Sequence, residues 1–326
     1  MIVITGASGL VGGNLVRELI AQGRPVRALI HCDRRALQGL DVETVLADLT
    51  DLSSLQKAFS GAEIVYHLAS SISIRMDNWH EMQRVNVVGT RNVIKACQSC
   101  GVRRLVYFSS IHAYRQDPLD MPLNEERPLL EDADVPPYER SKAEAERLVR
   151  EAGENGLETV IVIPTAIIGP YDFRPSYIGE ALQMLVNGFI PALVRGGYDW
   201  VDVRDVVAGA ILAEQNAASG SRYILSGQWY SLMDFARTTS RITGHPAPLL
   251  AVPIWLADLF QPAMAKLAQI NGSQPLYTRP MLKSMRSNRH ISHAHAAAEL
   301  GYEPRPFEET LRETLDWFNQ QDKETP

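Results

Sequence analysis

The chain has 326 residues, 45% apolar and 21% charged, with 38 acidic against 32 basic side chains for a net charge of −6. At that length and composition one large α/β unit with a smaller lobe is expected, and the acidic balance argues against nucleic acid as the main partner. No stretch reaches the ~20 apolar residues that span a bilayer, and the sequence opens on a strand-like run with no room for a signal peptide, so a cytoplasmic protein is expected.

Residues 2–4, Ile-Val-Ile, are a β-branched run of the kind found in a strand buried on both faces. Gly6, Gly9 and Gly12 follow at three-residue spacing, and residues 14–20 then repeat apolar positions with helical period. Strand, glycine turn and helix in that order predict a dinucleotide site. Gly6 permits the tight turn, Gly9 lets backbone amides approach a pyrophosphate, and Gly12 lets the helix pack closely on the strand. The exposed amides and the helix dipole supply an anion site, so Gly6, Ser8, Gly9, Leu10, Val11 and Gly12 are the phosphate-binding candidates.

The second, third and fourth strands are expected at 25–30, 42–48 and 63–69, with a short helix at 53–59 left through Gly61. A longer helix covers 78–100 and stops at Gly101. It carries Cys97 and Cys100, which with Cys32 are the chain's three cysteines. No second pair completes a metal site, and ordinary thiols in a reducing cytosol are expected. A fifth strand at 104–110, a helix at 141–152 and a sixth strand at 159–163 complete an alternation that implies a parallel, doubly wound sheet.

Past Pro164 the rhythm breaks. Residues 169–175 are loop chemistry and 176–188 a helix, after which 198–203, 206–214 and 222–225 return to strand, helix, strand and are expected to rejoin the sheet. The remainder is mostly helical. The expected division is a nucleotide domain over 1–168 with 198–228, and a substrate lobe over 169–197 and 229–326. Residues 251–270 are apolar and amphipathic, suited to a membrane or a greasy substrate, but expected as the core of the lobe. Residues 321–326 are expected to fray.

Ligands of open α/β sheets bind beyond the carboxyl ends of the strands. The second strand ends at His31-Cys32-Asp33-Arg34-Arg35. An acid at the place of His31 would grip a ribose 2′-hydroxyl, whereas arginine matches a 2′-phosphate in charge and fork geometry. NADP is therefore expected over NAD, through His31, Arg34 and Arg35, with Asp33 still within reach of a ribose. The fourth strand ends at Leu68-Ala69-Ser70, small enough to leave room for a cofactor. The fifth ends at Ser109-Ser110. Of eleven tyrosines, only Tyr138 has a lysine four residues on, Lys142, on the same helical face. An ammonium beside a phenol favours phenolate, which draws Tyr138 down from its ~10 reference.

Thr5-Gly6-x-x-Gly9-x-x-Gly12, His67-Leu-Ala69, Asn86-x-x-Gly89-Thr90, Ser110, Tyr138-x-x-x-Lys142, Gly169-Pro170, Val201-Asp202-x-Arg204-Asp205-Val206 and Leu300-Gly301-x-x-Pro304 together resemble the extended short-chain dehydrogenase/reductases. The resemblance spans essentially the whole chain, and its later half is most like dihydroflavonol reductase-like and hopanoid-associated epimerase-like members. It implies a Rossmann sheet with a smaller, mostly helical C-terminal substrate lobe. It implies that Tyr138 exchanges a proton with the substrate oxygen and that Lys142 lowers its pKa and holds the nicotinamide ribose. Ser110, four residues before Tyr114, would polarise the carbonyl. Asp48 and Leu49 would touch the adenine, Pro164 and Thr165 would line the carboxamide, and Asn86 would hold helix geometry. A homodimer through the two long helices flanking the active-site strand is implied as well.

His112 near the serine is expected as a loop residue, and His290, His293 and His295 as a solvated helix end, with no metal. Arg174, Arg279 and Arg286 are candidates for a substrate diphosphate. The expected reaction interconverts a secondary alcohol and a ketone, with a dihydroflavonol reductase-like or 3β-hydroxysteroid dehydrogenase-like substrate. The alternatives are a nucleotide-sugar epimerase or dehydratase on the same residues, and a non-catalytic NADP-sensing regulator.

Overall fold

A computed structural model of the chain describes all residues except 74, 75, 77, 133, 191, 271–276, 325 and 326, and the side chains of all the rest but 263–265, 267–270 and 322–324. Strands β1 (Ile2–Thr5), β2 (Val26–Ile30), β3 (Glu43–Leu46), β4 (Ile64–His67), β5 (Arg104–Phe108) and β6 (Glu158–Pro164) come first. The short strands β7 (Ala166–Ile168), β8 (Ala192–Val194), β9 (Gly197–Asp202), β10 (Arg222–Leu225), β11 (Gln228–Ser231) and β12 (Leu250–Val252) follow. Seven of them form one sheet in the order β3-β2-β1-β4-β5-β6-β10, with every pair parallel. The winding reverses between β1 and β4, which opens a crevice at their carboxyl ends.

The opening run is buried on both faces, as its composition predicts. Ile2 and Ile4 enter one core with Leu15 and Leu19 of α1 (Leu10–Ala21), while Val3 enters the other with Leu55 and Phe59 of α2 (Leu52–Phe59). Helices α3 (Trp79–Met82), α4 (Gly89–Cys100) and α5 (Pro137–Glu154) continue the chain. Those numbered α4 and α5 share the second core with α2. The expected continuous helix over 78–100 is interrupted: residues Gln83–Val88, between α3 and α4, make a π-turn. Such turns widen a helix by one residue, and this one contains the buried Asn86. Helix α5 begins four residues earlier than expected, with Pro137 at its first position, so Tyr138 lies in its first turn.

The strand at 198–203 does not rejoin the main sheet. Only β10 does, beside β6; β9 instead pairs with β7 and β11 in a separate three-stranded sheet. Aromatic packing explains the choice. Trp200 of β9 lies 4.8 Å from Phe235 of α8 (Leu232–Thr243), ring centre to ring centre, and 6.3 Å from Phe307 of α12 (Phe307–Glu324). Between β7 and α12 come α6 (Tyr177–Val186), α7 (Val203–Asn216), α9 (Ile254–Ile270), α10 (Arg279–Ser284) and α11 (Ala294–Leu300). The expectation of a frayed end at 321–326 holds for no described residue, since α12 continues to Glu324; 325 and 326 lie outside the described residues.

Candidate active site

The glycine turn after β1 is built from three different constraints. Gly6 has φ +73°, and a Cβ there would stand 2.7 Å from the Ala69 nitrogen at the end of β4. A Cβ on Gly12 would stand 2.1 Å from the Gly6 carbonyl oxygen. Gly9 differs: its φ is −82°, and a Cβ would meet only the Gly6 oxygen, at an ordinary 3.5 Å. Nothing inside the protein requires glycine at Gly9, which is exposed and caps α1 without a side-chain hydrogen bond. The first-turn amides of Leu10, Val11 and Gly12 precede the bond from Gly13 to the Gly9 carbonyl and have no acceptor within the helix, which suits them to an anion.

At the end of β2, His31, Arg34 and Arg35 are all exposed. The Arg35 guanidinium turns back onto Asp33 at 2.7 Å and holds that carboxyl at about 2. The Arg34 guanidinium has no ion-pair or hydrogen-bond partner among the described residues. Asp48 is exposed and accepts from the Thr50 amide and hydroxyl at 2.8 and 2.9 Å, and its neighbour Leu49 packs on Gly89 of α4. Arg174, from the loop before α6, acts electrostatically on Asp33, which sets it at this end of the crevice.

A one-way chain of hydrogen bonds runs from the glycine turn to the π-turn. The Ala69 amide donates to Thr5 Oγ1 at 3.2 Å, and the Thr5 hydroxyl lies 2.8 Å from His67 Nδ1. Nε2 of His67 lies 3.0 Å from Thr90 Oγ1, whose hydroxyl donates to the Asn86 carbonyl at 2.6 Å. Because Thr90 gives its proton to Asn86, His67 must donate through Nε2 and accept through Nδ1. Burial, with the Lys142 charge adding to it, lowers His67 to about 3 and keeps it neutral. Asn86 then satisfies its own side chain on the segment after β4 and on α5. Its oxygen accepts from the Ser71 amide at 2.7 Å and the Ser70 hydroxyl at 3.1 Å; its nitrogen donates to the Ser71 carbonyl and to Ser141 Oγ, each at 2.9 Å.

Ser110, at the end of β5, accepts from the His112 amide at 3.3 Å, and its hydroxyl acts on the Tyr138 phenol oxygen as a donor, a contact that by itself lowers that phenol's pKa. The two groups the sequence paired by type are thus brought together from β5 and α5. Burial raises the Tyr138 pKa, the Ser110 hydrogen bond opposes the rise, and Glu139 adds to it. The expected lowering by Lys142 is not what the structure has: the ammonium donates to the Phe108 carbonyl and stands 4.7 Å from the centre of the Tyr107 ring. Burial also lowers Lys142 itself, to about 7, against the pull of Glu146.

Glu146 extends the ladder one more turn and is fully buried. It accepts from Ser109, from the Tyr114 phenol at 2.6 Å, and from Arg150 at 3.0 Å. Thus both neighbours of Ser110 in the sequence pattern, Ser109 and Tyr114, are tied to the helix that bears Tyr138 and Lys142. The Lys142+4 spacing was the signal for Glu146, and no role had been expected for it.

Pro164 and Thr165 leave β6 beside this pair. The Thr165 hydroxyl donates to Asp199 at 2.7 Å, and the Gly227 amide donates to the same oxygen at 2.9 Å. Burial raises Asp199 to about 6. A cavity of about 20 Å³ lies among His112, Thr165, Asp199 and Asn288. Nothing in the sequence marked Asp199, which arrives on β9 from the second sheet. His112, expected as a loop residue, is the middle residue of the 3-10 turn Ile111–Ala113 after Ser110, and burial lowers it to about 4.

The three arginines proposed for a diphosphate are not assembled. Arg174 lies near Asp33, Arg286 pairs with Asp258 of α9, and Arg279 is exposed at the start of α10. His293 meets Ser226 at 2.9 Å and His295 meets Glu299 at 3.2 Å. Among the described residues no helix is long and apolar enough to cross a membrane.

Residues 2–225 match the sequence profile of the NAD dependent epimerase/dehydratase family. Sterol demethylase protein B of Methylococcus capsulatus is 35% identical over 98% of this chain and 98% of its own length. Isoform 1 of the 3β-hydroxysteroid-dehydrogenase/decarboxylase of Arabidopsis thaliana is 31% identical over 97% of this chain and 79% of its own. Among solved structures, gox2253 superposes with a TM-score of 0.86 at 31% identity, covering 98% of each chain.

Proposed function

Because the chain belongs to the NAD dependent epimerase/dehydratase family and is an enzyme of the extended short-chain dehydrogenase/reductase type that binds a nicotinamide dinucleotide, we propose that it reduces a ketone to a secondary alcohol with net consumption of the coenzyme. The observation that carries the reading is the approach of Ser110, at the end of β5, to the Tyr138 phenol in the first turn of α5, with Lys142 one turn further along the same helix.

The bound coenzyme would supply the hydride. Everything else belongs to the chain. The Tyr138 phenol, raised in pKa, stays protonated at neutral pH and can give its proton to the oxygen of a bound ketone. Ser110 already accepts from the His112 amide, and the proton it turns toward the Tyr138 oxygen can swing to the ketone oxygen and polarise it. Lys142, one turn further along α5, would hold the nicotinamide ribose, with Glu146 opposing the loss of charge that burial causes, and the phenolate left on Tyr138 takes its proton back from solvent as the product leaves. Gly9 and the first amides of α1 hold the phosphates, and small Ala69 and Ser70, with Leu68, Pro164 and Thr165, leave the ring its place.

NADP is the preferred coenzyme in this reading, because Arg34 is an unpaired guanidinium at the ribose end and Arg174 adds a second cation near Asp33. Relatives whose names specify sterol or hydroxysteroid substrates favour a bulky apolar alcohol over a nucleotide sugar. The unassembled state of Arg174, Arg279 and Arg286 supports the same choice. The reading includes a two-lobed substrate cleft with the nucleotide domain over 1–168, and a cytoplasmic homodimer paired through α4 and α5, as the resemblance implies. It is tested by incubating the protein with NADPH and a panel of polycyclic ketones. Loss of reduced coenzyme matched by alcohol formation supports it; isomerisation of a nucleotide sugar with no net loss of coenzyme overturns it.

A further inference from the structure

Helix α9 has two unlike faces. Ile254 and Ala257 turn inward onto Val194, Leu282 and Met285. Trp255 and Leu259, one turn apart, are 64% and 66% exposed on the other side, and exposed Lys266 falls on the same stripe at i+11 from Trp255. The small sheet leading into α9 continues the surface. Leu250 pairs in register with Ala192, so the exposed Leu249 and Leu250 lie beside the segment that carries exposed Phe189. Large apolar side chains gathered on one face, rather than scattered singly, mark a surface that is covered in use.

Charge identifies the cover. Residues 244–293 hold five Lys or Arg and one acid, Asp258, in a chain whose acids outnumber its bases by six. Asp258 is taken by Arg286 at the edge of α9. Arg195, Lys266, Arg279 and Lys283 are exposed and have no ion-pair partner among the described residues. An apolar stripe with a basic margin is what a helix lying in the interface of an anionic bilayer needs. A symmetric contact with a second copy would bring two basic margins together, and like charges facing one another oppose it.

We propose that this face docks on an anionic lipid bilayer, with α9 in the plane of the interface. The same docking would deliver the substrate, an apolar alcohol or ketone resident in the membrane, an extension that rests on the redox reading above. The site lies one helix behind the docking face. Ser284 of α10 lies 3.1 Å from the Tyr198 hydroxyl, beside Asp199, and Lys283 acts on Glu139, the neighbour of Tyr138.

The test is co-flotation of the full chain with vesicles of phosphatidylcholine alone or mixed with phosphatidylglycerol, at low and high salt. Expected is binding to the anionic vesicles that weakens with salt, falls about tenfold or more in Leu259→Asp, and falls comparably in the Arg279→Glu/Lys283→Glu double variant. Unchanged thermal unfolding of these surface variants excludes a folding defect. Equal binding to both vesicle types, or no binding, overturns the proposal. So does concentration-dependent self-association without lipid that Leu259→Asp abolishes, because the face would then join two copies. Vesicle binding needs no turnover, so failure to dock with ketone reduction intact sinks docking alone, and docking without reduction sinks the redox reading alone.

Discussion

The Asn86 amide nitrogen donates to Ser141 Oγ across 2.9 Å, and this bond fastens the π-turn to the residue next to Lys142. The same side chain holds both polar groups of the Ser71 backbone, so the end of β4 and the start of α5 share one anchor. Asn86→Ala removes all of these bonds and leaves buried partners unsatisfied. It is expected to lower stability by about 1–3 kcal/mol and kcat by more than tenfold, with a smaller change in KM. Thermal unfolding and steady-state kinetics check both; an unchanged kcat would mean that the anchor does not position the site.

The glycine turn separates folding from binding. Gly12→Ala drives a Cβ into the Gly6 carbonyl and should cost several kcal/mol, seen as loss of folded yield or a much lower Tm. Gly9→Ala meets no such obstacle and should fold normally while losing about tenfold or more in coenzyme affinity, read by thermal shift with and without NADPH. If Gly9→Ala binds the coenzyme as the parent does, the phosphates do not lie where the turn suggests.

Lys142 carries a stability cost that its function requires. Its folded pKa, about 7, is below the 10.5 of a free lysine, so the cost of burying the charge is fully present below pH 7 and fades as pH rises toward 10. Lys142→Met should therefore be inactive yet more stable than the parent at pH 6, by about 2 kcal/mol as an order of magnitude, with the gap closing at higher pH. Denaturant unfolding across that range measures it. A gap that widens with pH would contradict the burial account.

At the ribose end, Arg34 and Arg35 should behave differently despite being neighbours. Arg34→Ala should weaken NADP by about tenfold or more and leave NAD little changed, since a hydrogen bond to a charged group contributes about 1.5–3 kcal/mol. Arg35→Ala releases Asp33 from its ion pair and should narrow the NADP preference by repelling the phosphate. Calorimetric titration of both coenzymes settles it. Equal losses for NAD and NADP in Arg34→Ala would remove the basis for the preference.

Much of this site was legible because its parts are local. The glycine spacing, Tyr138 with Lys142, and strand ends carrying Ser110 and Ala69 are all read from residues close together in sequence. The π-turn was not legible, because the apolar period of 78–100 is that of an unbroken helix and the widening is set by tertiary bonds to Ser71 and Ser141. The pairing of β9 was not legible either. A strand is apolar by alternation wherever it lies, and only the aromatic contacts of Trp200 with Phe235 and Phe307, distant in sequence, place it in the second sheet. The stretch 251–270 was expected as lobe core; one face of it is, and the other, with Trp255 and Leu259, is exposed, because the pattern gives two apolar sides and the fold has a partner for one.

The sharpest test is a single-turnover reaction with reduced coenzyme carrying deuterium on its transferable face, comparing the parent with Tyr138→Phe at saturating coenzyme. The account predicts deuterium on the carbinol carbon of the product, and a rate lowered by about 10²–10⁴ in Tyr138→Phe with coenzyme affinity unchanged. Transfer at the parent rate in Tyr138→Phe, or label that remains on the coenzyme while the substrate isomerises, would contradict it.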